Sequence, residues 1–225
     1  MDLVSGNEDG AVWYFQNIGK KGDPKLAEGV RLESDGKPIC AEKKKFEQVD
    51  GEFKEVIVTP ASSELAHPYS KIHLTDWDGD GVEDMLVGHE KGEFVLYLNA
   101  GNKEKPAFGK AQAIKRDKGE FPFRPSPLLY DWDGDGKKDL LVGGDDLEVL
   151  FYKNLGTEEK RVFGGAIKLE ADGKPIKKGI RARLAVADWN NDGKMDLLLG
   201  DYSVTPIPDS RRKKKSGNIW VFLQK

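Results

Sequence analysis

"TDWDGDGVEDMLVG", residues 75–88, packs five acidic side chains and an indole into one short stretch. Four of the acids are Asp76, Asp78, Asp80 and Asp84. Like charges this close repel unless a cation sits among them. The pattern D-x-D-x-D-G-x-x-D offers side-chain oxygens at positions 1, 3, 5 and 9, position 7 can lend a backbone carbonyl, and the glycine at position 6 allows a sharp turn. Hard oxygen donors in this number suit Ca²⁺, which takes six to eight, whereas Mg²⁺ keeps more of its water.

The first turn of this loop is similar to an EF-hand, but an EF-hand places its last acid at position 12 and runs into a helix. Here the last acid is at position 9 and a strand-like run follows, which excludes the EF-hand.

The stretch recurs. "DWDGDGVEDMLVG" starts at Asp76, "DWDGDGKKDLLVG" at Asp131 and "DWNNDGKMDLLLG" at Asp188, 55 and 57 residues apart. "DLVSG" at Asp2–Gly6 matches the second half of the same unit, so the first unit is read as lacking its acidic loop. Downstream, "GAVWYFQNIG" (10–19), "GEFVLYLNAG" (92–101), "LEVLFYKNLG" (147–156) and "GNIWVFLQK" (217–225) align. So do "AFGKAQAI" (107–114) with "VFGGAIKL" (162–169), and "LESDGKPI" (32–39) with "LEADGKPI" (169–176). The first interval is the longer one, with an insertion expected over about 40–60.

Each unit reads as strands. "KIHLT" alternates into the acidic loop, "DMLVG" is a short buried run closed by glycine, and "EFVLYLN" is rich in β-branched and aromatic residues. A weaker fourth strand lies near "AQAI" or "AIKLE", and no long segment has a helical period. Four short strands per unit of about 50 residues predict an all-β chain, a β-propeller of four-stranded antiparallel blades. The expected units are about 1–70, 71–126, 127–183 and 184–225, two complete and two incomplete, about four blades in a single propeller or partial propeller over 1–225. A long hairpin is read at about 201–216, as a partner-specific or simply solvated loop.

The expected calcium sites, up to three, follow by position. The first is Asp76, Asp78, Asp80 and Asp84 with the Val82 carbonyl. The second is Asp131, Asp133, Asp135 and Asp139 with Lys137. The third is Asp188, Asn190, Asp192 and Asp196 with Lys194; it has one charge fewer and should be the weakest. At millimolar Ca²⁺ and a Kd of about 0.1–1 mM, each site would add about 0.4–1.4 kcal/mol, so the ion is read as structural. Trp77, Trp132 and Trp189 hold position 2, between two ligands, and are expected to point away from the ion and pack on their own or the next blade.

Composition narrows the remaining classes. The net charge of −3 gives no basic face, and one short run, "RRKKK" (211–215), does not make a nucleic-acid site. Cys40 is the one cysteine, so no intrachain disulfide can form. No apolar run approaches the ~20 residues of a membrane span. "MDLVSGNEDG" lacks the features of a signal peptide; either a leader has been removed or the sequence starts within a longer protein. His67, His73 and His89 form no recognisable motif, and no nucleophile elbow, H-E-x-x-H or phosphate loop is present, so the chain is not expected to be an enzyme.

"DWDGDGxxDLLVG", the following "G-x-(V/F)-x-x-(Y/F)-x-N-x-G" and the "FG" pairs at Phe108-Gly109 and Phe163-Gly164 resemble the FG-GAP/VCBS repeat family. The resemblance covers almost the whole chain and is weak over 40–70 and 202–216. It implies calcium-binding propeller blades similar to those of integrin α-subunits and of many secreted bacterial proteins. It further implies an extracellular, periplasmic or cell-surface location, and binding or adhesion more often than catalysis. Family propellers often close with about seven or eight blades. This chain is therefore read first as a fragment or incomplete propeller, with four-blade closure or pairing of two chains through open sheet faces as alternatives.

With calcium loops on one face, the opposite face carries the hairpin tips (7–9, 89–91, 144–146) and the connections "HPYSK" (67–71), "FRPSP" (123–127) and "GIRAR" (179–183). Tyr69, Arg124, Arg181, Arg183 and Tyr202 are the candidate rim for an acidic or sugar ligand, or else they hold the channel together. The leading expectation is a calcium-stabilised module that binds a protein or glycan. The alternatives are a polysaccharide-lyase-like enzyme domain and a purely structural segment of a large surface protein.

Overall fold

The computed structural model describes residues 2–7, 10–39, 43–59, 69–90, 92–114, 116–145, 148–206, 208 and 213–224, with backbone only at 43–46 and 55–59. All regular structure among them is β. The strands are Leu3–Gly6 (β1), Val12–Phe15 (β2), Val30–Arg31 (β3), Glu33–Ser34 (β4), Lys37–Pro38 (β5), Lys43–Val49 (β6), Glu52–Thr59 (β7), Lys71–Thr75 (β8), Asp84–Gly88 (β9) and Phe94–Tyr97 (β10). There follow Gln112–Ala113 (β11), Ser126–Tyr130 (β12), Asp139–Gly143 (β13), Leu150–Tyr152 (β14), Ile167–Lys168 (β15), Glu170–Ala171 (β16), Lys174–Pro175 (β17), Ile180–Ala187 (β18), Asp196–Pro206 (β19) and Lys213–Phe222 (β20). The chain divides into two compact units, Met1–Ile114 and Lys115–Lys225.

In the first unit the antiparallel sheet β1-β2-β3 packs on the antiparallel sheet β8-β9-β10-β11. The period-2 alternation of β1 and β2 sends Val4, Val12 and Tyr14 to one face. They meet Ile72, Leu74, Met85, Val87, Val95 and Tyr97 of the second sheet, with Leu32, Ile39 and Phe108 closing the cluster. The run "DMLVG" does not alternate because every residue of β9 is buried, which is the pattern of a strand covered on both faces.

The second unit repeats this scheme. Sheet β12-β13-β14-β15 turns Leu128, Leu141, Val149 and Phe151 toward Ala182, Leu184, Val186, Leu197, Leu199 and Phe222 of sheet β18-β19-β20. The glycine that ends the second strand of the repeat permits close approach of the next sheet. A Cβ on Gly6 would lie 2.1 Å from the Ser70 carbonyl oxygen, and one on Gly143 would lie 2.7 Å from that of Ala182. Any side chain there would force the two layers apart.

"LESDGKPI" and "LEADGKPI" form small ribbons, β4-β5 and β16-β17. Each turns on an Asp-Gly corner with both φ angles positive, 52° and 73° at Asp35-Gly36 and 50° and 72° at Asp172-Gly173. That is the backbone of a type I′ turn, whose twist matches the strands it joins. The insertion read at 40–60 contains the hairpin β6-β7, turned on Asp50-Gly51 in the same way. Its residues 40–42 and 60, with Cys40, lie outside the described residues, as do His67 and parts of the hairpin tips at 8–9, 91 and 146.

The long hairpin read at about 201–216 is present, as a paired ribbon over most of its length rather than as a solvated loop. The β19-β20 ladder continues from Tyr202↔Gly217 out to Pro206↔Lys213. Val204 and Thr205, both β-branched, sit within this extension and favour the extended backbone over a coil. Of the basic run, Arg211 and Arg212 lie outside the described residues, while Lys213, Lys214 and Lys215 belong to β20.

Candidate functional site

Each acidic loop joins the first two strands of a sheet: 76–83 between β8 and β9, 131–138 between β12 and β13, and 188–195 between β18 and β19. The loops are wound by their own carboxylates. Asp76 accepts the N–H groups of Gly79 (2.7 Å) and Gly81 (3.0 Å), and Asp131 accepts those of Gly134 and Gly136, both at 2.9 Å. Asp188 accepts those of Asp192 and Gly193, both at 3.0 Å. Position 5 accepts from position 7 each time: Asp80 from Val82 (2.7 Å), Asp135 from Lys137 (3.0 Å) and Asp192 from Lys194 (2.9 Å). Glycine at positions 4 and 6 supplies the left-handed backbone in the first two loops. In the third, Asn191 takes position 4 with φ 59°; asparagine is among the few side chains that tolerate this region.

The winding gathers oxygens. Carboxylate oxygens of Asp76, Asp78 and Asp84 lie within 4.8 Å of one another, and so do those of Asp131, Asp133 and Asp139. These are positions 1, 3 and 9; Asp80 and Asp135, the expected ligands at position 5, are not part of those clusters. The donor set is all oxygen and carries at least three charges, which fits a hard divalent cation. In the third loop Asn190 stands at position 3, and its amide donates to Asp192 Oδ2 at 2.9 Å.

The second loop has internal cations. Lys153 Nζ bonds Asp133 Oδ2 and lies 2.9 Å from Asp135 Oδ2, while Lys137 Nζ lies 3.4 Å from Asp135 Oδ2. The Lys153 contact holds the Asp135 carboxyl below the usual carboxylate range, and the two aspartates hold the Lys153 ammonium above its own.

The acid at position 9 does more than the sequence reading assigned to it. Asp84 is buried; its Oδ2 accepts the Trp77 N–H at 2.8 Å and its Oδ1 accepts the Asn99 N–H at 2.7 Å. Asp139 does the same with Trp132 (3.2 Å) and Asn154 (2.8 Å), and Asp196 with Trp189 (3.0 Å) and Gln224 (2.9 Å). Asp2 takes the Asn17 N–H and the Tyr14 hydroxyl, both at 2.8 Å. Burial pushes the Asp84 and Asp139 carboxyls up, against these hydrogen bonds, and the neighbouring aspartates add to the rise. A cation in the cluster would reverse that cost.

Asn99 and Asn154 complete the clamp. Asn99 Oδ1 accepts from Gly101 (3.0 Å) and Ala107 (2.8 Å), and its amide donates to the Glu83 carbonyl (3.2 Å). Asn154 Oδ1 accepts from Gly156 (3.0 Å) and its amide donates to the Thr157 carbonyl (3.2 Å). Asn17 Oδ1 likewise accepts from Gly19 and Lys25, both at 3.0 Å. The signal for this role was the asparagine recurring at one place in the repeat.

The three indoles differ. Trp77 is 8% exposed, Trp132 packs beside the second-unit core with its ring 6.4 Å from that of Tyr130, and Trp189 is 60% exposed. The expected packing therefore describes Trp77 and Trp132 and not Trp189. The motif fixes where the indole emerges, but the layer beside it decides its burial.

At the strand ends opposite the acidic loops lie the candidate rim residues. Tyr69, Arg124 and Arg181 occupy the same place in three repeats, two residues before the residue paired with the closing glycine. All three have left-handed backbone, with φ of 68°, 49° and 58°. In the second unit Arg124 Nη1 meets Asp145 Oδ2 at 3.2 Å, and its guanidinium lies over Phe123. Arg181 lies over the Tyr202 ring at 5.5 Å. Arg181, Arg183, Asp201, Tyr202 and Asn218 border an open groove. Burial pushes the Arg183 guanidinium down and Asp145 opposes this, so Asp145 is shared electrostatically by Arg124 and Arg183. Tyr69 belongs to the first unit.

A family model described as an FG-GAP-like repeat matches residues 76–142 and 131–199. No curated protein matches the chain.

Proposed function

This chain belongs to the FG-GAP-like repeat family, and we propose that it is a calcium-stabilised binding module of an extracellular, periplasmic or cell-surface protein. FG-GAP-like repeats are typical of such proteins. No helix among the described residues is long and apolar enough to cross a membrane.

The observation that carries the calcium reading is the convergence of Asp76, Asp78 and Asp84, and again of Asp131, Asp133 and Asp139, at the ends of strands fixed by two packed sheets. In this reading the residues at positions 1, 3, 5 and 9, with the carbonyls of Val82, Lys137 and Lys194, hold one Ca²⁺ per loop. The ion neutralises the buried aspartate and locks the first strand of the sheet to the third. Its role is structural, because the protein supplies most of the coordination.

Binding rather than catalysis is the proposed activity, with an acidic glycan or protein segment meeting the basic and aromatic strand ends. The left-handed backbone of Tyr69, Arg124 and Arg181 supports this, since strained non-glycine residues concentrate at working sites. The groove bordered by Arg181, Arg183 and Tyr202 offers guanidinium donors beside an aromatic face.

Thermal unfolding at fixed pH in EDTA, then across a calcium series with magnesium as control, tests the metal reading. A saturating, calcium-specific rise in Tm is expected. An unchanged Tm across the series would sink it.

A further inference from the structure

The repeats allow equivalent positions to be compared sheet by sheet. The residue after the clamp aspartate is Leu3, Met85, Leu140 or Leu197. Met85 and Leu140 are fully buried and Leu197 is 1% exposed, but Leu3 is 47% exposed. On the opposite face, the residue facing the closing glycine is Val12, Phe94, Val149 or Ile219. Val12 and Phe94 are fully buried and Val149 is 1% exposed, but Ile219 is 75% exposed. Each series has one outlier, the first lying in β1 and the second in β20.

The two faces are the two halves of one contact. In the first unit the face carrying Val12 packs on the face carrying Met85. In the second unit the face carrying Val149 packs on the face carrying Leu197. The same face type meets the same partner type in both, through a run of aliphatic and aromatic side chains. The spare faces are one of each type, Ile219 with Leu198 and Val221 on β19-β20, and Leu3 with Trp13 and Phe15 on β1-β2. Two further positions agree. Gly6 and Gly143 touch backbone of the adjoining sheet, whereas Gly200, their equivalent, has open space where a Cβ would be. Trp189 is 60% exposed where Trp132 packs beside the core.

We infer that the β18-β19-β20 face bearing Ile219 binds the β1-β2-β3 face bearing Leu3 of a second copy of this chain, head to tail. The interface is heterologous, so the assembly grows to a closed ring or continues as a chain of copies. The contact is aliphatic and aromatic at its centre, with Arg31 lying over Trp13 on one face and Arg183 beside Gly200, at the edge of the groove, on the other, and it extends a packing mode that the protein already uses twice.

Sedimentation equilibrium over a concentration series in calcium buffer, with the whole chain, tests this. Assemblies of twice the chain mass or more are expected. Leu3→Asp and Ile219→Asp change exposed positions, so each should keep the far-UV circular dichroism of the parent and sediment as a monomer. Mixed one to one, they should recover a species of twice the chain mass and stop there, because each retains the face that the other lacks. A parent that remains monomeric at every concentration overturns the inference. Loss of assembly in both variants without recovery on mixing also overturns it, because the two faces would then not be partners.

Discussion

Asp84 Oδ1 accepts the backbone N–H of Asn99 at 2.7 Å, which fastens the base of the first acidic loop to the end of β10. The bond makes Asp84 part of the fold as well as a candidate ligand. Asp84→Ala leaves the N–H groups of Trp77 and Asn99 without this acceptor, and a buried donor left unmade costs about 1–3 kcal/mol. The variant should therefore lose about 2 kcal/mol or more in urea unfolding even in EDTA. Asp78→Asn, at an exposed position, should be neutral or slightly stabilising in EDTA and lose only the calcium response.

Charge at the second and third loops should set their affinities, and one substitution at each should raise it. Asn190→Asp adds a carboxylate at position 3, and Lys153→Met removes the ammonium that meets Asp133 and Asp135. Leucine already stands at the places equivalent to Lys153, at Leu98 and Leu223. A unit charge at this range is worth about 1 kcal/mol in water, or about fivefold in Kd. Each change should tighten its own loop by about that factor. Terbium luminescence sensitised by the position-2 tryptophans reads the titration.

Asp201 gives a pH dependence that does not involve the loops. Its Oδ1 accepts from the Asn218 backbone and amide, and its Oδ2 accepts from Trp220 Nε1 at 2.9 Å. Burial raises its pKa, but the bonds from Trp220 and Asn218 outweigh this and hold it below the ordinary 3.8. A carboxyl lowered on folding stabilises the protein above its unfolded pKa, and the gain is lost as pH falls through the folded value. The Trp220 indole N–H resonance should therefore shift with a midpoint below 3.8. Asp201→Asn should abolish that step and lessen the acid-side loss of stability.

Asn191 carries the left-handed turn of the third loop. Asn191→Gly should keep or slightly raise Tm. Asn191→Val puts a β-branched side chain at φ 59° and should cost about 1–2 kcal/mol in urea unfolding. Equal effects of the two substitutions would remove the backbone as the reason for asparagine here.

The strands around each acidic loop were legible because alternation and short apolar runs are local signals. The runs 71–75, 84–88 and 139–143 appear in the structure with those bounds. The clamp was not legible as a clamp. Asp84 and Asn99 lie fifteen residues apart, and nothing in either neighbourhood shows that a backbone N–H will meet a buried carboxylate. Trp189 was misjudged for a related reason: three identical motif positions differ in burial because burial depends on the adjoining layer. The hairpin at 201–216 was legible, but how far its ladder runs beyond Tyr202 was not, because prolines and a basic run both read as loop.

The Asp-Gly corners lead in a practical direction. Gly36, Gly51 and Gly173 each have open space where a Cβ would be, and each caps a ribbon rather than a strand of the packed sheets. Short connections of this kind accept insertions well. A peptide tag, a fluorophore attachment point or an epitope placed there would report on the protein without entering its core, its acidic loops or its spare faces.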